Sequence, residues 1–337
     1  MPWSRVLAFS DPFPCQVAIQ AADVEVFPTA KGGFCAEVTQ IGMNRLWMQR
    51  FHVNLPHVNA VRMMSSRAVV GFLTDEHQRS MQHCGRKVSP GDIIFNDFDV
   101  AHQQFGSDVR FGSMSLMRHD LDSACKALTG REFSEARRKH LVRPGSDLMT
   151  RLLRLHKTAG QIAKSSPEIL ASPESMRAIE QALVHALINC LTEGASSEPT
   201  ALGRRRDSIV AKFEEFLEAK PDQPIYLAEI CATIGVAERT LRSCCEEHLG
   251  MGPIRYLTLR RMHLVRRALL RANHGSATVT RVATDHGFWE LGRFAVVYRA
   301  MFGESPLASL KRPPNDGTIF LNRPSSLESP RIVMDYC

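Results

Sequence analysis

Apolar residues in the first third of the chain occur in short runs that alternate with polar positions. Gly, Pro, Asn and Asp separate the runs, as is typical of strands joined by turns. The predicted strands cover residues 24–27, 36–41, 68–73, 92–96 and 110–116. Short strands at this spacing predict an antiparallel barrel or sandwich.

The turn Ser89-Pro90-Gly91-Asp92 leads into one of these strands and resembles the turn of cupin-type barrels. We therefore predict an α+β protein with a cupin-like β-barrel over residues 1–125. Many cupin enzymes hold a metal with a His-x-His pair, a Glu and a further His, and this sequence lacks that pattern. We assign no catalytic residue, no metal ligand and no cofactor. The scattered histidines are His52, His57, His83 and His102.

Residues 126–200 follow a helical period. Ser146 is predicted to cap a helix over 147–164, and Ser172 with Pro173 to open a second helix that ends near Gly194. The second helix has an apolar face that packs either on its own domain or on a second copy of the chain. We predict that the segment serves dimerisation and as a linker. The face consists of Met176, Ile179, Leu183, Leu187 and Cys190.

The C-terminal third repeats one pattern twice. An apolar helix over 227–232, a turn at Gly235 and a second helix from 237 have the order of a helix-turn-helix. A similar unit follows, with a helix over 279–285, a turn at 286–288 and a helix over 290–301. The pattern predicts an all-α domain over 201–312.

One continuous helix over 253–272 is predicted between the two units, with a length of about 30 Å. Adjacent major grooves on one DNA face lie about 34 Å apart, so this spacer suits two reading helices in neighbouring grooves. Its arginines either reach phosphates or keep the helix soluble. They are Arg255, Arg260, Arg266, Arg267 and Arg271.

Positive charge is concentrated in the same region. Residues 201–312 carry 18 Lys and Arg against 12 Asp and Glu, an excess of six out of the chain's net +7. A basic excess suits contact with a polyanion, although a solvated surface has the same composition.

The C-terminal third resembles the AraC/XylS family of transcription regulators. The first matching segments are LAEICATIGVAERTL and HLGMGPIRYLTLRRMHLVRRALL, and the second unit matches through VTRVATDHGFWELGRFAVVYRAMFGESP. Gly287-Phe288, Phe294, Tyr298, Phe302-Gly303 and Ser305-Pro306 all fall at the family's intervals.

The resemblance implies a sequence-specific activator of transcription that binds double-stranded promoter DNA as a homodimer. It also implies a small organic effector in the N-terminal domain and contact of the second unit with RNA polymerase. The alternative is a cupin-type enzyme with an appended DNA-binding unit. A third interpretation, a basic protein that binds any DNA sequence, is also open.

The resemblance places base-reading positions on both second helices. The first helix carries arginines that can bind guanine, whereas Ser243 stands where the family commonly has Arg. In the second helix only Arg293 is a strong donor, so we expect the first unit to read more of the sequence. The predicted DNA-binding residues are Glu238, Arg239, Thr240, Arg242, Ser243, Leu291, Gly292, Arg293 and Val296.

No residue can be assigned to the effector from sequence. The alternating positions of one predicted strand make one subset of its polar residues candidates for a pocket lining, and an ordinary solvated strand face is the alternative. The match also leads us to expect a small aromatic carboxylate or amine as effector. The strand residues are Arg45, Trp47, Arg50 and His52.

The remaining features favour a cytoplasmic protein without a membrane span. The longest apolar runs are far shorter than the roughly 18 residues that cross a bilayer, and Pro12 and Pro14 come too early for a signal peptide. The nine cysteines are irregularly spaced and predicted to be reduced and buried. Residues 313–337 are predicted to be a flexible tail.

Overall fold

The computed structural model describes residues 2–63, 66–96, 100–130, 133, 141–197, 201–220, 225–272, 276–312 and 318–320. The strands are β1 (Trp3–Phe9), β2 (Ala22–Pro28), β3 (Ala36–Gly42), β4 (Trp47–Val53), β5 (His57–Met63), β6 (Arg67–Leu73), β7 (Met81–His83), β8 (Arg86–Val88), β9 (Ile93–Asn96), β10 (Val100–Phe105), β11 (Val109–Met117), β12 (Leu141–Arg143), β13 (Ala195–Ser197) and β14 (Thr318–Phe320). The helices are α1 (Pro12–Ala18), α2 (Arg118–Thr129), α3 (Ser146–Ser165), α4 (Pro167–Ala171), α5 (Pro173–Glu193), α6 (Ala201–Ala219), α7 (Leu227–Ile234), α8 (Glu238–Leu249), α9 (Pro253–Arg271), α10 (Val279–Asp285), α11 (Leu291–Phe302) and α12 (Pro306–Lys311).

These strands form two antiparallel sheets. The larger has the order β13-β12-β9-β6-β11-β4-β3-β1-β14, and the smaller β2-β5-β10-β7-β8. Neither closes on itself among the described residues, so the cupin-like barrel is not confirmed. Alternation of apolar residues decides which side chains point inwards, but it does not decide which edge strands pair, and that pairing separates a barrel from an open sheet.

Strand β6 shows how the sequence builds the centre of the larger sheet. Successive side chains point to opposite faces, so Ala68, Val70 and Phe72 pack against helices on one side. On the other side Leu73 joins the core between the sheets and Val69 lines a cavity there. Since both faces are covered, the strand carries no polar side chain from Ala68 to Leu73.

Helices α2 to α5 cover the outer face of the larger sheet. Ser172 caps α5, accepting a hydrogen bond from the amide of Ser175 at 3.4 Å, as predicted. The predicted cap at Ser146 is wrong, because α3 begins at that residue and Gly145 occupies the cap position. The apolar face of α5, including Leu183 and Leu187, is buried in this core. It therefore packs within the chain, which is the first of the two predicted alternatives.

The C-terminal helices form two cores that share α9. Tyr256 and Leu257, near the start of α9, pack with α6, α7 and α8. Val265 and Leu269, near its end, pack with α10, α11 and α12. Each helix-turn-helix unit thus has its own core, and α9 connects them as one rigid element.

The predicted tail after residue 312 is described only at residues 318–320. There the backbone of β14 pairs with β1, with Leu7 opposite Phe320. Among the described residues, the helices are too short or too polar to cross a bilayer. The side chain of His102 lies outside the described part of the chain.

Candidate nucleic-acid interface

The first unit is formed by α7 and α8, which meet at Gly235. This glycine has φ of +70°, a left-handed conformation that glycine adopts without strain. Ile230 on α7 and Leu241 and Cys245 on α8 are fully buried between the helices. The core fixes α8 so that its opposite face is turned to solvent.

The residues predicted to read bases in the first unit are all exposed on α8. Arg242 donates a hydrogen bond to Glu238 Oε1 at 2.8 Å, one helical turn earlier. Glu238 is therefore placed to orient the guanidinium of Arg242. The exposed set is Glu238, Arg239, Thr240, Arg242 and Ser243.

The second unit is formed by α10 and α11, with the turn at Gly287. Thr278 caps α10, and the amide of Phe288 donates to the carbonyl of Ala283 at 2.9 Å, which closes the turn. Inside, the buried Tyr298 hydroxyl donates to Ser309 Oγ at 2.7 Å. The unit is thus anchored to α12 as well as to α9.

The predicted reading positions on α11 differ in exposure. Gly292, Arg293 and Val296 are exposed, whereas Leu291 is half-buried and packs against the core of the unit. Arg293 lies 3.7 Å from Glu290, and both side chains are well exposed. The face of α11 thus presents less hydrogen-bonding capacity than that of α8.

Sequence reasoning missed Trp289, whose side chain lies just before α11 and is 72% exposed. Large apolar side chains are normally buried, so an exposed indole beside a reading helix indicates a contact surface. Its position inside the matched segment GFWELGRF was the available signal.

Helix α9 has 19 residues, close to the prediction, and spans about 28 Å. Its arginines are not equivalent. Arg255 is exposed, but Arg260 and Arg266 are buried against the N-terminal domain. Arg267 and Arg271 lie over the ring of Phe13. Four of the five arginines therefore serve contacts within the chain, which neither predicted alternative included.

Ion pairs connect α9 to the N-terminal domain. Arg266 Nη1 pairs with Asp11, and Arg266 Nη2 lies 3.3 Å from Glu304 of the second unit. Arg260 Nη2 lies 3.4 Å from Glu25 Oε2. Burial alone would lower the pKa of Arg266, but the neighbouring Asp11 carboxylate outweighs it and raises the pKa.

Strand β2 presents one face to α9 and the other to the interior of the N-terminal domain. Glu25 and Phe27 face α9, where the Phe27 ring lies 6.0 Å from that of Tyr256. Val24 and Val26 line a cavity between the two sheets. A single strand thus forms a common wall of the cavity and the helical domain.

A second, open cleft lies between α3 and the sheet. Arg50 and His52 line this cleft but not the inter-sheet cavity, whereas Gln49 lines the cavity alone and Phe51 borders both. The alternation predicted for this strand holds, but its basic residues point away from the cavity. Trp47 instead stacks under Arg67 at 4.0 Å.

Other reactive groups were also located. Among the described residues, no three His, Cys, Asp or Glu side chains are grouped to hold a metal. Cys244 and Cys245 are buried, and burial raises the pKa of both thiols. Cys35 is exposed, contrary to the prediction that the cysteines are buried.

Residues 230–312 match the family described as helix-turn-helix domain. A relative described as a probable thc operon regulatory protein from Rhodococcus erythropolis is 39% identical over 106 residues, covering 32% of each chain. The XylDLEGF operon transcriptional activator 3 of Pseudomonas putida is 26% identical over 228 residues, covering 66% of each. The matches thus span between a third and two thirds of these relatives' own lengths.

A solved structure of the AraC-like transcriptional activator CuxR is 14% identical and covers 76% of this chain and 89% of that one. Its TM-score of 0.37 is too low for the superposition to bear on the fold. The family match over residues 230–312, by contrast, includes helices α8 to α12 and most of α7. Residues 230–312 thus form a helix-turn-helix domain of the AraC type, and the chain is similar to transcription regulators of the AraC/XylS family.

Proposed function

We propose that the protein is a sequence-specific regulator, an activator of transcription, that binds promoter DNA with α8 and α11 in adjacent major grooves. The observation that carries the proposal is the pair of exposed helix faces, each fixed by its own buried core and joined by α9. The length of α9, about 28 Å, approaches the distance of about 34 Å between adjacent major grooves on one DNA face.

Helix α8 supplies most of the base reading. Arg239 and Arg242 are exposed donors, and an arginine that binds guanine with two hydrogen bonds contributes about 1–3 kcal/mol of discrimination. Helix α11 offers Arg293 and the apolar Val296, which suits contact with thymine methyl groups and DNA shape.

The N-terminal domain binds a small effector in the inter-sheet cavity. Support comes from the wall that the cavity shares with the helical domain, since Val26 and Phe27 are adjacent on β2 but face opposite sides. A ligand that moves β2 therefore acts on α9 without touching it.

The regulator acts as a homodimer in the cytoplasm and contacts RNA polymerase through the second unit. These proposals are supported by the family and by relatives described as operon regulators and activators. The apolar face of α5 is occupied within the chain, so the dimer uses another surface.

Selection of binding sites from random double-stranded DNA tests the proposal. The full chain is expected to enrich two half-sites about 10 base pairs apart, one helical turn. A footprint on the enriched site should require a higher protein concentration with Arg239→Ala, because one base contact is lost. Equal affinity for enriched and random DNA at fixed salt would instead identify a sequence-indifferent binder.

A further inference from the structure

The cavity between the two sheets has a mainly apolar lining, with the polar side chains of Gln20, Gln49, His57, Asn59, Gln103 and Ser113 among it. The centre of a water-sized sphere can occupy about 80 Å³ within it, several times the 10–15 Å³ that holds one water. The cavity therefore suits a ligand of about one ring. Its aromatic and aliphatic walls include Val24, Val26, Phe34, Phe51, Val61, Phe105, Val109 and Phe111.

Its lining has no charged side chain. Asp, Glu, Lys and Arg are absent from the described residues around it. His57 is the one titratable base there, and its Nδ1 lies 2.8 Å from the carbonyl of Leu55. Burial lowers the pKa of His57 to about 4, so the ring is neutral at pH 7. An ionic ligand would meet no counter-charge and would lose its hydration.

Two atoms of the lining can accept a hydrogen bond from a ligand. Nδ1 of the neutral His57 donates to Leu55, which leaves Nε2 with a lone pair. Asn59 Oδ1 is buried and has no hydrogen-bond partner among the described residues. The amide of Gln49 is already engaged with Gln20 and Gln40. Because an unsatisfied buried acceptor is costly, a ligand that donates to Asn59, with His57 beside it, is favoured.

We infer that the effector of this cavity is a small uncharged ring compound that donates a hydrogen bond, such as an amide or alcohol, to Asn59 and His57. This inference rests on the proposed function, since it names the ligand class of the same effector site. It replaces the aromatic carboxylate or amine expected from the sequence.

A carboxylate has a different place to bind. The open cleft beside α3 is lined by Arg50, Arg110, Arg154, Lys157 and Lys164, together with acidic Glu37, Asp75 and Glu76. Arg50 Nη1 lies 2.8 Å from Nδ1 of the buried His156. The two sites thus predict different ligands, a neutral one in the cavity and an anion in the cleft, and each should respond to substitution of its own lining.

Calorimetric titration of the full chain with four probes of nearly equal shape tests the inference. Benzamide is neutral and donates, acetophenone is neutral and only accepts, benzoate is an anion and benzylamine is a cation. Benzamide should bind about tenfold tighter than acetophenone, the effect of one hydrogen bond to a buried group, and neither ion should compete with it.

Three variants show whether the probes bind in the cavity or in the cleft. Asn59→Leu should remove the preference for benzamide and leave acetophenone binding within about twofold, which also shows that the variant is folded. Asn59→Asp should reverse the selectivity towards benzylamine. Arg50→Gln is the matched control in the cleft and should change no affinity of the neutral probes.

Several outcomes would overturn the inference. They are tighter binding of benzoate than of benzamide, loss of ligand binding with Arg50→Gln, or no binding of any probe. DNA binding is measured on the same samples without ligand, so a protein that binds its DNA site but fails these titrations refutes the ligand class alone. Loss of specific DNA binding would instead refute the proposed function.

Discussion

Arg239 and Arg242 project from an α8 whose inner side is fixed by buried Leu241 and Cys245. We expect Arg239→Ala or Arg242→Ala each to relax specificity at one base position, with a loss of about 1–3 kcal/mol for the preferred base. Arg293→Ala should cost less, because α11 presents few other donors. Binding to a panel of single-base variants of the selected site measures these differences.

Arg177→Ala is a suitable control, since this exposed arginine lies on α5, away from both reading helices. Equal losses across all base variants for Arg239, Arg242 and Arg293 would show that these side chains contact phosphates only. The prediction that the first unit reads more of the base sequence than the second would then be wrong.

His57 gives a prediction on pH. Burial lowers its pKa from 6.5 to about 4. Between these pH values the imidazole therefore binds a proton in the unfolded chain but not in the folded chain. The free energy of unfolding should therefore fall as the pH drops from 6.5 to 4, by about 3 kcal/mol from this group. His57→Phe should remove this share of the pH dependence, measured by denaturant unfolding, while that of buried His156 and His263 remains and exposed His119→Asn changes nothing.

Individual site residues could be predicted wherever helical periodicity decides exposure. The outward positions of α8 follow from its buried side, where Leu241 lies one turn before the adjacent Cys244 and Cys245. Leu291 was assigned to the reading surface, but it also packs on a core formed by distant residues. Trp289 was missed because an aromatic residue in an apolar segment is more often buried than exposed.

At the scale of elements, the sequence predicted those with strong local signals. Helix α10 has the predicted bounds, and α5 begins at the predicted Ser172-Pro173 signal. Helix α6 begins at Ala201, at the start of the predicted all-α domain, but no helix was predicted at that position. Several of its buried apolar residues, such as Phe213 and Leu217, lie in its second half. The open ends of the sheets depend on long-range pairing, which local patterns do not contain.

Helix α9 leads to a prediction on salt dependence. Arg271 lies 4.3 Å from the ring centroid of Phe13 in the N-terminal domain, whereas Arg281 on α10 is 79% exposed. The supporting helix of such a unit crosses the DNA backbone. Arg281→Gln should therefore reduce the slope of log affinity against log salt by about 0.9, the value for one phosphate contact. Arg271→Gln should leave the slope unchanged.

Titration of a fixed DNA site at several salt concentrations measures both slopes. If Arg271→Gln reduced the slope as much as Arg281→Gln, α9 would contact DNA directly. Its packing against the N-terminal domain would then have to be broken in the complex.

At the scale of the whole molecule, docking of the two domains is visible only in three dimensions. The arginines of α9 have the spacing of a solvated basic helix, and their partners Asp11 and Glu25 lie more than 200 residues away. Composition gives the charges but not which carboxylate meets which guanidinium. The basic excess of the C-terminal third therefore overstated the charge available to DNA.

Asp11→Asn tests whether this docking makes the chain unfold as one unit. The asparagine can still accept from the amide of Phe13 at the start of α1, so the change removes mainly the charge facing Arg266. Breaking a buried pair costs about 3 kcal/mol, the lower end for such pairs, because Glu304 still faces the arginine. Calorimetry should show that the single transition of the wild type becomes two transitions in Asp11→Asn, one for each domain, with the N-terminal domain retaining its ligand affinity.

Asp108→Asn is the control, since Asp108 forms an exposed pair with His52, and it should leave a single transition. An unsplit transition in Asp11→Asn would show that apolar contacts, such as Phe27 with Tyr256, hold the domains together without the ion pair.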